Sequence, residues 1–227
     1  MEKIKLNHGD FIVSKTEDIE MVNFLRNGVA NFFDELSQYI NDNDDPEVLT
    51  YATERTLASL FVCGNLRREA SMTGLQEYGT LCTKNNVEVH GRPDIFIKSG
   101  DKAIWIECKY QKNIQSLGTD HWDVPCWLAW DKENAFSQVE IYYNSEASKL
   151  NKSYKKRYIV TLCFKLIKEN KEEHEKKVNS ELKSKVTEDC DRVWYYQVGF
   201  FPGENGSQVG LEVYGTLSND MAGLGKT

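Results

Sequence analysis

Asp94, Glu107 and Lys109 are the residues of this sequence whose types and spacing best suit chemistry. If Asp94 and Glu107 pair across a β-hairpin, their Cβ atoms lie about 5 Å apart, where like charges repel each other. A cation between the carboxylates removes that repulsion, and oxygen ligands of this kind suit Mg²⁺ or Mn²⁺. Lys109 shares the strand face of Glu107, where its charge could meet a phosphate. We therefore predict Asp94 and Glu107 as metal ligands and all three residues as catalytic in phosphodiester hydrolysis.

The two β-rich segments on either side of Gly100-Asp101 predict the hairpin that this site requires. Gly-Asp is a two-residue turn signal of the type II′ kind, and with these residues at the turn Asp94 falls opposite Glu107. Alternation then makes the other face of the hairpin purely apolar, with Ile95, Ile97, Ile104 and Ile106. A solvated strand face with a cross-strand ion pair is the alternative interpretation, and it leaves the in-register carboxylates unexplained.

The composition indicates a soluble globular protein. The chain has 227 residues, of which 40% are hydrophobic and 28% are charged, enough for one domain with a core. No stretch approaches the ~18 consecutive apolar residues of a membrane helix, and the first residues lack the apolar run of a signal peptide. We therefore expect a cytoplasmic protein without membrane association. Six cysteines are scattered singly, and we expect small core residues rather than a zinc site or a disulfide framework.

The net charge of −7 argues against a general nucleic-acid coat, because an acidic protein repels a polyanion at long range. A local basic strip over residues 152–157 could still guide a phosphate backbone. We predict that Lys155, Lys156 and Arg157 contact nucleic acid. The alternative is an exposed linker whose charges only solubilise it, and the sequence favours neither interpretation clearly.

Hydrophobic periodicity predicts the elements that must carry the hairpin. We expect helices over residues 19–39, 47–63 and 132–150, the second ending near Gly64. Strands are predicted over residues 87–98, 102–111, 157–166, 193–201 and 208–217, with a charged, mostly helical segment over residues 168–188. This order describes an α/β domain with a mixed central β-sheet and helices on both faces.

At the hairpin the sequence resembles the PD-(D/E)xK nuclease superfamily, which includes restriction endonucleases, RecB-type exonucleases and Holliday-junction resolvases. Pro93-Asp94 followed by Glu107-Cys108-Lys109 matches the signature at its usual spacing. The resemblance covers roughly residues 47–166. It implies a restriction-endonuclease-like fold with a nuclease core over that range, after an N-terminal helical segment (1–46). Residues 167–227, a charged helix and a C-terminal β-hairpin, would belong to the same domain.

A second group of residues resembles the RecB-type branch of that superfamily. Residues 138–142 (QVEIY) look like its Q-hydrophobic-x-x-Tyr motif, and residues 91–94 (GRPD) fit its Gly-x-x-Asp. Gln138 and Tyr142 stand one helical turn apart, so both could lean toward the site and bind nucleic acid. An amphipathic helix could supply the same five residues without any such role.

The resemblance further implies a Mg²⁺-dependent deoxyribonuclease, of an endonucleolytic restriction or phage-defence type, and a homodimer that cuts two strands. An auxiliary acid would come from a helix before the hairpin. We choose Glu54, which we place mid-helix among polar neighbours, over Glu69 and Glu77, and a plain surface role is the alternative for each of the three. Gln111, two residues after Lys109, would contact phosphate or water. An RNA endonuclease on the same fold and a non-catalytic nucleic-acid-binding module are the alternatives.

Overall fold

The computed structural model describes residues 2–14, 18–43, 48–68, 72–76, 80–84, 87–91, 93–111, 156–167, 170–176, 193–202 and 207–219. Its helices are α1 (Ile19–Asn43), α2 (Val48–Tyr51), α3 (Glu54–Arg68) and α4 (171–176). Its strands are β1 (Glu2–Leu6), β2 (Gly9–Val13), β3 (Met72–Gln76), β4 (Thr80–Lys84), β5 (Val87–Gly91), β6 (Ile95–Ser99), β7 (Lys102–Gln111), β8 (Lys156–Ile167), β9 (Val193–Pro202) and β10 (Gln208–Asn219).

An eight-stranded sheet with the order β1-β2-β9-β10-β8-β7-β6-β3 forms the centre of the fold. β7 and β8 run parallel and the other neighbours run antiparallel, so the sheet is mixed and the predicted α/β class is confirmed. β4 and β5 form a separate two-stranded sheet. No helix among the described residues is long and apolar enough to cross a membrane.

The predicted hairpin register is confirmed. Ile95 pairs with Ile106 and Ile97 pairs with Ile104, and all four side chains are fully buried. Gly100 has a φ of +60°, which the first central residue of a type II′ turn requires. The hairpin therefore rests on an isoleucine face that packs into the main core.

The first strand of that hairpin is shorter than predicted. The sequence predicts one strand over residues 87–98, but the structure divides it into β5, which pairs with β4, and β6, which pairs with β7. Pro93 lies between the two strands and has no N–H to donate to a ladder. The break leaves Asp94 as the residue immediately before β6.

The N-terminal part of the chain is only partly helical, so the predicted helical segment over residues 1–46 is wrong for its first residues. β1 and β2 form a hairpin there, and β2 joins the central sheet beside β9. Phe11 and Val13 of β2 are buried in the core. The alternation in these short charged strands covers too few residues to stand out from the sequence, whereas α1 repeats its apolar pattern over several turns.

Helices α1 and α3 pack together on the isoleucine side of the sheet. Gly64 lies inside α3 and does not end it, because the helices approach closely there. A Cβ on Gly64 would lie 2.8 Å from Cγ of Glu35 and 3.0 Å from the carbonyl oxygen of Asn31. The glycine predicted to end the helix is therefore a packing residue.

The predicted helix over residues 47–63 is two helices. Thr53 separates α2 from α3, and its Oγ1 accepts a hydrogen bond from the Thr56 N–H at 3.1 Å. The Thr53 N–H in turn donates to Oγ1 of Thr56 at 3.3 Å, which completes a reciprocal cap. This cap makes Glu54 the first residue of α3, so its predicted mid-helix position is wrong.

Two cysteines depart from the prediction. Cys108 is a buried free thiol, as predicted for a small core residue, whereas Cys63 is exposed. Cys163 is buried as predicted, but it takes part in a disulfide bond. The side chain of its partner cysteine lies outside the described residues.

Candidate active site

Asp94, Glu107 and Lys109 meet where β7 runs on past the start of β6. Oδ2 of Asp94 accepts a hydrogen bond from the Cys108 N–H at 2.7 Å. Nζ of Lys109 donates to Oε1 of Glu107 at 3.0 Å. Glu107 and Lys109 lie on the sheet face opposite the isoleucines, as alternation requires. The structure therefore brings the three residues of the predicted site together.

Two carboxylates occupy the strand edge that β6 leaves open. The ladder between β6 and β7 ends with Ile95 and Ile106. Beyond that pair, the N–H groups of Cys108 and Tyr110 point to the same edge, because alternate residues of a strand do so. Asp94 accepts from the first at 2.7 Å and Glu54 accepts from the second at 3.0 Å. The two N–H groups that bind these carboxylates lie about 7 Å apart along β7.

Glu54 reaches this edge because α2 and α3 are tied to β7. The Tyr110 hydroxyl donates to the Leu49 carbonyl oxygen at 2.5 Å, which fixes α2 over the strand. The Thr53 cap then starts α3 so that Glu54 faces the Tyr110 N–H. A carboxylate in the first turn is also stabilised by the helix dipole. Sequence reasoning missed Tyr110, although an aromatic residue directly after Lys109 on the core-facing side was a usable signal.

Glu107 is the most perturbed carboxyl group of the cluster. Burial, and then repulsion by Asp94, raise the pKa of Glu107 to about 8, although the Lys109 ammonium opposes the shift. Only 4% of Glu107 is exposed, and among the described residues its Oε2 has no hydrogen-bond partner. A buried carboxyl oxygen without a partner is costly, so this atom is a natural position for a cation.

The same cluster of charges shifts the pKa values of Glu54 and Lys109. Burial, together with the charge of Asp94, raises the pKa of Glu54. Burial alone would lower the pKa of Lys109, but the carboxylates of Glu107, Glu54 and Asp94 outweigh it and raise that pKa. Lys109 is therefore a charged ammonium at neutral pH beside three carboxyl groups.

The donor set fits a hard divalent ion that keeps several waters. Within the described ranges, no group of three or more histidine, cysteine, aspartate or glutamate side chains is arranged to hold a metal ion. Mg²⁺, however, commonly binds proteins through one or two carboxylates and retains water as its other ligands. Oε2 of Glu107 has no hydrogen-bond partner in the described part of the chain, and the Asp94 carboxylate lies beside it, with Oδ2 accepting from the Cys108 N–H. Asp94 and Glu107 are thus the residues that would hold such an ion.

The described part of the basic strip, Lys156 and Arg157, lies far from this cluster. Lys156 and Arg157 begin β8 beside Lys102 and Ala103, at the turn end of β7. Lys109 is seven positions beyond Lys102, about 23 Å along the strand. Nζ of Lys156 is also 3.3 Å from Oε2 of Glu20, which neutralises part of its charge. The structure does not bring Lys156 and Arg157, the described part of this strip, together with the candidate active site.

The remaining predicted site residues are only partly described. Gln111 ends β7 opposite Lys165, two positions beyond Lys109, and its side chain lies outside the described residues. The other predicted nucleic-acid contacts, Lys155, Gln138 and Tyr142, also lie outside the described residues. The same holds for Glu69 and Glu77, the two alternatives to Glu54 as the auxiliary acid.

Comparisons with protein-family models, with curated proteins and with solved structures find no match for this chain. The chemistry of the cluster must therefore be judged from its own geometry. That geometry offers two buried or half-buried carboxylates, a charged lysine and a third carboxylate from α3. These groups suit the binding of a divalent cation next to a phosphate.

Proposed function

We propose that this chain is a Mg²⁺- or Mn²⁺-dependent endonuclease that hydrolyses phosphodiester bonds in DNA. One observation carries the proposal. Glu107 is buried next to Asp94, its Oε2 has no partner among the described residues and its pKa is raised to about 8, while Nζ of Lys109 lies 3.0 Å from its other oxygen. A cation and a phosphate at this position would satisfy both the carboxyl oxygens and the lysine.

Each residue then has a distinct role. Asp94 and Glu107 hold the ion, which when bound supplies Lewis acidity and neutralises charge on a phosphoryl oxygen. Lys109 contacts the scissile phosphate and stabilises the negative charge that develops on it during hydrolysis. Glu54 adds an acceptor at the open edge of β7, 3.0 Å from the Tyr110 N–H. With these roles the cluster also resembles the PD-(D/E)xK signature on the same residues.

Differences in exposure support this division of roles. The side chain of Lys109 is 24% exposed, whereas that of Glu107 is 5% exposed. A phosphate that approaches from solvent therefore meets the ammonium group before the carboxylate. The buried carboxylate of Glu107 then binds the smaller partner, a metal cation. The same arrangement would also serve RNA, so RNA cleavage is the alternative on the same site.

The proposal is tested by incubating the protein with plasmid, linear duplex DNA, single-stranded DNA and RNA, each with Mg²⁺, Mn²⁺ or EDTA. We expect plasmid cleavage with either metal ion and none with EDTA. Asp94→Asn should abolish the cleavage, and Asp101→Asn, which changes an exposed acid at the hairpin tip, should not. Binding of DNA without cleavage under every metal condition would favour a non-catalytic module, and cleavage of RNA alone would contradict the DNA assignment.

A further inference from the structure

A pocket lies on the same sheet face as Glu107 and Lys109. It is located toward the opposite edge of the sheet, where β1, β2 and β9 lie. Its volume is about 480 Å³, which falls within the range of small-molecule sites. Residues of the β1–β2 hairpin, of β9 and of α4 line it. Registered pairs place Tyr196 three strands from Lys109, about 14 Å away. The pocket is therefore distinct from the candidate active site.

Gly9 allows the hairpin to lie close against β9 and so shapes the pocket. Its φ is +114°, a conformation that other residues rarely adopt. A Cβ at this position would lie 2.3 Å from the carbonyl oxygen of Val198, which is too close for any other residue. The hairpin can approach β9 in this way only with glycine at the turn.

A buried polar network underlies the pocket. His174 and Tyr196 line it and are 0% and 3% exposed. Nε2 of His174 lies 2.9 Å from both the Tyr196 hydroxyl and Oε1 of Glu212. The Tyr196 hydroxyl donates to that same carboxyl oxygen at 3.0 Å, and Nζ of Lys165 is 3.9 Å from the other one. Within this network Lys165 offsets part of the negative charge of the Glu212 carboxylate below the pocket.

The rim of the pocket carries an excess of positive charge. Lys3, Lys5 and Lys171 line it against two carboxylates, Asp10 and Glu175. Nζ of Lys3 is 2.6 Å from Asp10, and Nζ of Lys171 is 3.9 Å from Glu175. Lys5 makes no ion pair with any described residue. A chain whose net charge is −7 thus presents three lysines around one cavity.

We propose that this pocket binds a small phosphorylated ligand. Its phosphate would lie between Lys5 and Lys171, because ammonium groups make charge-assisted hydrogen bonds to phosphate oxygens. Its less polar part would pack against Phe200, whose ring centroid is 6.0 Å from that of His174. The volume of the pocket suits a mononucleotide-sized molecule and is too small for a nucleic-acid duplex. This site is independent of the proposed nuclease function.

Calorimetric titration tests the proposal with pyrophosphate, ATP and adenosine as probes. EDTA is present throughout, so that no metal-dependent binding at the candidate active site contributes. We expect pyrophosphate and ATP to bind, adenosine not to bind, and affinity to fall as salt is added. The variant Lys5→Ala/Lys171→Ala should weaken binding about tenfold or more, since two charge-assisted contacts are lost.

Lys176→Ala is the matched control, because Lys176 is an exposed residue of α4 that does not line the pocket. It should bind both phosphorylated probes like the unmodified protein. All the substituted lysines are exposed, so the melting temperatures of the variants should agree and exclude misfolding. The proposal is overturned if neither phosphorylated probe binds, if adenosine binds as tightly as ATP, or if the double variant retains full affinity.

Discussion

Glu54 and Tyr110 join α3 to β7 through a hydrogen bond of 3.0 Å from the Tyr110 N–H to Oε2 of Glu54. The two residues are far apart in sequence, yet this bond brings a third carboxylate next to Asp94 and Lys109. The Tyr110 side chain reinforces it by donating to the Leu49 carbonyl oxygen at 2.5 Å. Tyr110 thus binds α2 through its side chain and α3 through its backbone N–H.

Tyr110→Phe should destabilise the protein by about 0.5–1.5 kcal/mol, because it removes the hydrogen bond to the Leu49 carbonyl oxygen. Urea unfolding measures the loss. Tyr39→Phe, at a tyrosine that is 40% exposed, serves as the control and should change stability by less than about 0.5 kcal/mol. Equal effects of the two substitutions would show that Tyr110 does not anchor α2.

Glu107 should make the metal-free protein less stable as pH rises. Its folded pKa is about 8, whereas an unfolded glutamate titrates near about 4.3. The folded state therefore binds more protons between these values, and the free energy of unfolding falls across that window. Glu107→Gln should flatten the dependence and raise stability at pH 8, which urea unfolding in EDTA measures. Glu172→Gln, at an exposed acid of α4, should leave it unchanged. An identical pH dependence in Glu107→Gln would contradict the assignment.

Mg²⁺ should stabilise the folded protein through Asp94 and Glu107. An ion that binds only the folded state adds about 2.7 kcal/mol at a concentration one hundred times its Kd. The expected rise in melting temperature should disappear in Asp94→Asn and persist in Asp101→Asn. Thermal unfolding with Mg²⁺ and with EDTA provides the comparison. Retention of the full shift in Asp94→Asn would place the ion elsewhere.

Gln197 should be replaceable with a gain in stability. It is fully buried on the helix-facing side of β9, and neither polar atom of its amide has a hydrogen-bond partner among the described residues. Gln197→Met keeps the shape of the side chain and removes the unsatisfied groups, so we expect a gain of about 1–3 kcal/mol in the free energy of unfolding. A loss of stability in urea unfolding would mean that the amide is satisfied in solution.

The hairpin is predictable because its information is local. Gly100-Asp101 sets the turn, and the alternating isoleucines choose the register, so the amino-acid pattern alone is enough to pair Ile95 with Ile106 and to bring Asp94 to the strand that carries Glu107. The packing of α3 is not predictable in the same way. The cap at Thr53 and the contact of Glu54 with Tyr110 depend on elements that meet only after folding.

The distance between the basic strip and the candidate active site is not predictable from the sequence. The prediction for Lys155, Lys156 and Arg157 rests on their charge alone, and charge patterns do not tell how far a segment lies from a site. The pairing of Lys156 with Lys102 puts the described part of the strip at the turn end of β7. Strand pairing between distant segments therefore determines the distance, and no local pattern encodes it.

The most direct test of the nuclease proposal compares single-turnover cleavage of supercoiled plasmid by Lys109→Ala and Lys98→Ala in Mg²⁺. Both lysines lie on the same hairpin, but Nζ of Lys109 is 3.0 Å from Glu107, whereas Lys98 is exposed on β6. We predict that Lys109→Ala slows cleavage by about 10²–10³-fold, as loss of one charge-stabilising group does, and that Lys98→Ala keeps the normal rate. Cleavage by Lys109→Ala at the rate of the unmodified protein would contradict the account.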